Sequence, residues 1–123
     1  MTVSHILLSL LIGALGGVVA ALCGVGGGVV MVPAFVALLA LPHKQAVATS
    51  LLVIVPTALM ASIQNQKNGF GDWRVAVCAA VAASLTAWFA ADWLRQWSDE
   101  KLVRFFGVIL VLMGARMLLL GRA

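Results

Sequence analysis

The sequence has few charged residues of either sign. Only 10% of its 123 residues are Asp, Glu, Lys or Arg, whereas 63% are hydrophobic and the mean hydropathy is +1.12. The first acidic residue is Asp72, and no lysine or arginine precedes Lys44. A water-soluble domain needs a larger polar fraction to cover its surface. The composition therefore excludes an ordinary soluble domain and predicts a chain that lies in a lipid bilayer.

The sequence is also poor in groups that catalyse reactions or bind metals. It has two cysteines and two histidines, widely separated, and no phosphate-binding loop with its lysine. Cys23 and Cys78 lie in apolar runs, where a thiol behaves as a small hydrophobe. The basic residues sit at segment ends, next to lipid headgroups, which argues against nucleic acid as a partner. We therefore expect no enzymatic activity, no metal site and no cofactor.

Long apolar runs predict an all-α polytopic membrane protein with four to five transmembrane helices in one domain, residues 1–123. As one straight helix, residues 6–41 would extend roughly 54 Å, against a hydrocarbon core of about 30 Å. The first segment must therefore break, and four glycines among the five residues Gly24–Gly28 provide the hinge. We predict helices over residues 6–22, 29–41, 45–63, 73–94 and 102–120, with a polar loop at 64–72.

The glycine run is the candidate binding site. Unwound backbone at membrane depth is tolerated only where protein buries it or where it lines a polar cavity. Free N–H groups and the dipole at the start of the next helix favour an anion there. Alternatively, the glycines serve only close helix packing, and the nearby hydroxyls bond to their own helix. The candidate substrate-binding residues are Gly24, Gly26, Gly27, Gly28, Pro33, Thr49 and Ser50.

Charge placement and the lack of an internal repeat point to a homodimer. Lysines and arginines divide equally between the two sides of the membrane, so the positive-inside rule gives no orientation. A dual orientation with an antiparallel dimer follows as a hypothesis. No repeat is visible, which suggests one repeat of a two-repeat transporter that a second copy completes. Gly107 and Gly114 lie on one face of the last helix and allow close helix contact.

Five short motifs occur in order along nearly the whole chain. They are Gly16-Gly17, Leu22-Cys23-Gly24-Val25-Gly26-Gly27-Gly28, Val32-Pro33, Ala46-Val47-Ala48-Thr49-Ser50-Leu51 and Gly71-Asp72-Trp73-Arg74. Together they resemble the TauE/SafE family of membrane exporters of sulfite and related anions. Family members are typically about twice as long, with a glycine-rich break in each half, and this chain matches one half. The resemblance implies export of sulfite or an organosulfonate by alternating access across a bacterial cytoplasmic (inner) membrane.

Two other classes of membrane protein stay open from the sequence. A small anion channel of the dual-topology fluoride type also uses broken helices and their dipoles. A non-transport accessory subunit would need the glycines for packing alone. Small multidrug-type cation exporters fit less well, because they resemble one another in an acidic residue of the first helix. This chain has no acidic residue before Asp72.

Overall fold

The computed structural model describes residues 2–121, which form five α-helices and no β-strand in that range. The helices are α1 (Val3–Cys23), α2 (Gly28–Leu39), α3 (His43–Lys67), α4 (Trp73–Leu94) and α5 (Asp99–Leu120). Four of them, α1, α3, α4 and α5, are long and apolar enough to cross a membrane. The 12 residues of α2 extend only about 18 Å and do not reach across a bilayer alone. The predicted all-α polytopic membrane fold is confirmed.

The helix ends differ from the sequence prediction by up to four residues: α1 and α5 each begin three residues earlier, α2 ends two residues earlier and α3 ends four residues later. The loop predicted at 64–72 is too long, because α3 continues to Lys67 through residues that favour a helix. That helix ends in a Schellman turn, in which the Gly69 N–H donates to the Gln66 carbonyl at 3.0 Å. At its start, α5 includes Asp99 and Glu100, whose negative charges suit a helix N-terminus.

The core is formed by α1, α2 and α3. The chain reverses direction at the glycine break, so that α2 returns along α1 and α3 packs against both. In α1 the buried positions recur every four residues, at Ile12, Gly16 and Ala20, which places one narrow face against its neighbours. The buried hydrophobic residues of the core are Ile12, Ala20, Met31, Val32, Phe35 and Ala46.

The remaining helices leave much of their surface uncovered. The rings of His43 in α3 and Phe106 in α5 pack at 6.0 Å in a tilted, edge-to-face arrangement. By contrast, α4 has no buried residue. At Gly107 and Gly114 nothing in the described part of the chain comes within 4 Å of where a Cβ would lie. The close helix contact predicted at these two glycines is therefore not made within the described chain.

Candidate functional site

The break between α1 and α2 contains three glycines in the left-handed region of backbone conformation. Gly24 closes α1 with φ +67° and donates its N–H to the Ala20 carbonyl at 2.9 Å. Gly26 has φ +70°, and Gly27, which precedes the first turn of α2, has φ +75°. This conformation costs an L-residue with a side chain about 1–2 kcal/mol. The backbone path therefore favours glycine at these positions.

The break also exposes backbone donors. The N–H groups of residues 25–29 donate no hydrogen bond of normal distance and angle to any described residue. The first intrahelical bonds of α2 come later, from Val30 and Met31 to the Gly27 carbonyl at 3.1 and 2.9 Å. These unpaired donors lie at the positive end of the α2 dipole. An unpaired N–H group away from water costs free energy. An anion or an ordered water that accepted hydrogen bonds from these groups would remove that cost.

On the α1 side, the break is closed by direct backbone contact. A Cβ at Gly27 would lie 2.6 Å from the Gly16 carbonyl oxygen and 3.2 Å from Met31 Cε. A Cβ at Gly16 would collide with the side chain of Met31, which is fully buried. Close packing by glycine therefore occurs at Gly16 and Gly27. It does not occur at Gly13, where nothing lies within 4 Å.

On the α3 side, the break is lined by Ile54 and Ser50. A Cβ at Gly26 would lie 3.1 Å from Ile54 Cγ2, and one at Gly28 would lie 3.1 Å from Ile54 Cδ1. Ser50 Oγ is 4.0 Å from the same position at Gly28. The Ser50 side chain is buried, and its hydroxyl donates to the Val47 carbonyl at 2.8 Å. One hydrocarbon side chain and one hydroxyl therefore form this wall.

The third side of the break is open. Nothing lies within 4 Å of a Cβ position at Gly24, and Val25 is 50% exposed. Cys23, at the end of α1, is an exposed free thiol. Gly24 and Val25 are therefore exposed, whereas Gly26 and Gly28 are half-buried and Gly27 is buried.

The structure brings together five of the seven candidate residues. Gly24, Gly26, Gly27 and Gly28 form or flank the break, and Ser50 lies beside Gly28. Thr49 is half-buried on α3, one residue away. Pro33 lies within α2, and its side chain is exposed, whereas its neighbour Val32 is buried. Substrate binding by these residues stays a prediction.

Ile54 was not among the site residues predicted from the sequence. The spacing of the sequence does indicate that Ile54 shares a face with Ser50, because residues four apart lie on the same side of a helix. What the sequence does not contain is the partner of that face. The packing of α3 against the break makes Ile54 a lining residue.

The candidate site holds no ionised side chain of its own among the residues that line it: Gly26, Gly27, Gly28, Ser50 and Ile54. Within residues 2–121 no group of three or more His, Cys, Asp or Glu side chains is placed to hold a metal ion. The positive potential at the break therefore comes from backbone N–H groups and the dipole of α2.

Comparison with known proteins identifies the family. Residues 3–123 match the family described as Sulfite exporter TauE/SafE. The chain belongs to the TauE/SafE family. It is thus an integral membrane protein of a transporter family.

Two curated bacterial relatives agree with this assignment. One is the "Probable membrane transporter protein YunE" of Bacillus subtilis (strain 168), 30% identical over 116 residues, which cover 94% of this chain and 41% of the relative. The other is a "Probable membrane transporter protein" of Haemophilus influenzae, 31% identical over 123 residues, which cover 94% of this chain and 47% of the relative. The chain spans less than half the length of these relatives. No solved structure matches it.

Proposed function

We propose that this TauE/SafE unit exports a small sulfur-containing anion, sulfite or an organosulfonate, and binds it at the glycine break. The observation that carries the proposal is the run of unpaired N–H groups at residues 25–29, in a break that is exposed at Gly24 and Val25 and buried at Gly27. Donors of this kind bind oxyanions at helix N-termini without a lysine or arginine. The family description supplies the sulfur chemistry.

In this proposal the backbone recognises charge and the hydroxyls adjust the fit. The amides of Gly26, Gly27 and Gly28 donate to the anion, and Gly24 keeps the entrance free of a side chain. Ser50 offers a hydroxyl group beside the break, and Thr49 precedes it on α3. Ser50 must leave its bond to the Val47 carbonyl in order to donate. Pro33 is exposed within α2, and its part in binding stays a prediction.

Alternating access follows from the same backbone. Gly24, Gly26 and Gly27 form a short connection of left-handed glycines between a full-length helix and a half-length one. Small changes in φ and ψ at such residues re-aim α2 relative to α1 with little steric cost. The open side of the break then faces one side of the membrane and afterwards the other.

The functional assembly in this proposal is a homodimer in a bacterial cytoplasmic membrane. Helix α4 has no buried residue, and the Gly107 and Gly114 face of α5 is uncovered, so both offer surface to a second copy. Small residues on such faces let transmembrane helices approach closely. A second unit also supplies a second glycine break, which together with the first encloses the anion between two helix N-termini.

Uptake of radiolabelled sulfite into proteoliposomes tests the transport proposal. We expect saturable sulfite flux with the purified chain and none with empty liposomes, whereas sulfate and chloride compete weakly. A missing flux would contradict the proposal of a self-sufficient sulfite transporter. A flux far above the turnover of a carrier, and without saturation, would assign the chain to the channels instead.

The orientation of the dimer has its own test. Gln66, exposed at the end of α3, is replaced by Cys in a chain whose free Cys23 and Cys78 are changed to Ala. If copies insert both ways, a membrane-impermeant maleimide labels about half of the chains from each side, because the charge balance favours neither orientation. The cysteine-free chain is the control. Labelling from one side only would contradict the antiparallel dimer.

A further inference from the structure

Ile54 is the α3 side chain that lies nearest to the glycine break. Its Cγ2 and Cδ1 atoms lie 3.1 Å from the Cβ positions at Gly26 and Gly28, respectively, so the side chain extends across the backbone on both sides of Gly27. No other side chain in the described chain comes this close to both glycines. Ile54 is half-buried, so part of its hydrocarbon surface is not covered by the described chain.

The chemistry of isoleucine makes this wall rigid and dry. A β-branched side chain in a helix strongly prefers one χ1 rotamer, so Ile54 keeps a fixed position beside Gly26 and Gly28. Hydrocarbon beside those donors also lowers the local dielectric constant, which strengthens a hydrogen bond from an amide to an anion. An anion that enters the break therefore gives up water on the side of Ile54.

We propose that Ile54 determines which anions the break accepts, by fixing the space beside the charged head group. The inference rests on the proposed anion site and adds the residue that sets its selectivity. The anion's oxygens face the N–H groups of residues 25–29, and its remaining substituent meets Ile54. A compact substituent fits against the isoleucine, whereas a longer alkyl chain collides with it.

The test uses sulfonates that share one head group and differ only in their tails: methanesulfonate, ethanesulfonate and 1-propanesulfonate. Their affinities for the purified full chain in nanodiscs are measured by titration calorimetry, and each variant is described by its ratio of propane- to methanesulfonate affinity. A pocket position that changes by even one methylene changes such discrimination by roughly tenfold or more. We expect Ile54→Ala to shift the ratio at least about tenfold towards propanesulfonate, with Ile54→Val between the two.

The matched control is Leu52→Ala, which removes the same number of carbon atoms from the same helix. Leu52 is 76% exposed, so this variant should keep the ratio of the unchanged protein. A ratio taken within one variant is not moved by a general loss of stability. If Ile54→Ala keeps the original ratio while the sulfonates still bind, the selectivity role is wrong and the anion site stands. If the unchanged protein binds no sulfonate and no sulfite, the anion site itself is wrong.

Discussion

Gly27→Ala is expected to reduce sulfite flux at least tenfold while the protein still inserts into the membrane. A Cβ at this position would lie 2.6 Å from the Gly16 carbonyl oxygen, and the φ of +75° is itself unfavourable for alanine by about 1–2 kcal/mol. The two helices must separate to make room, which displaces the N–H groups at the start of α2. The larger Gly27→Leu should remove flux entirely. Flux is measured in proteoliposomes, and insertion by the amount and elution profile of purified protein.

Two further glycine variants separate the causes of that loss. Gly13→Ala makes the same change in α1 at a position with nothing within 4 Å, so it should keep full flux. Gly24→Ala meets no atom either, but its φ is +67°, so it should show an intermediate loss caused by backbone strain alone. Unchanged flux in Gly27→Ala would mean that the contact with Gly16 has no part in transport.

The second large effect is expected where Gly16 meets Met31. Met31→Ala should lower the free energy of unfolding by about 2–5 kcal/mol, because it removes a fully buried side chain and leaves a cavity. Gly16→Ala should cost about 1–3 kcal/mol, because its Cβ collides with the Met31 side chain. In the double variant the added methyl enters the vacated space. Its cost should therefore fall short of the sum of the two single costs by about 1 kcal/mol or more.

This coupling is measured by denaturant titration of the four proteins in a constant detergent mixture. Gly114→Ala combined with Met31→Ala serves as the control pair. Nothing lies within 4 Å of the Gly114 position, so the costs of that pair should add within about 0.5 kcal/mol. Strict additivity for Gly16 and Met31 would contradict the observed packing of α2 against α1.

The sequence predicted the fold class and the place of the break because both depend on local properties. Apolar runs with charges only at their ends predict membrane helices, and four glycines between two such runs predict an interruption. The bounds of α4 were predicted to the residue, since Asp72 caps its start, accepting the Arg74 N–H at 3.0 Å, and a charged segment follows its end. The excess length predicted for the loop after α3 has a local cause too. Polar residues at the bilayer surface extend a helix as readily as they form a loop.

Some features of the site residues depend on local sequence, and others depend on how the helices pack. Glycine is favoured at positions 24, 26 and 27 because the backbone turns left-handed there, which a glycine-rich run indicates in advance. The exposure of Pro33 and the burial of Ser50 depend on which faces of α2 and α3 pack inwards. Both helices are apolar nearly all round, as expected in lipid, so hydrophobic periodicity does not identify the inward face.

The sequence by itself therefore determined that this is a membrane protein with a broken first segment, and it identified the TauE/SafE motifs. Only the tertiary structure decided that α2 folds back on α1, that Gly27 rests on the Gly16 carbonyl, and that Ile54 lies beside the break. The physical reason is that contacts between helices depend on the shapes of two surfaces together. A single chain of residues records the shape of each surface but not which surfaces meet.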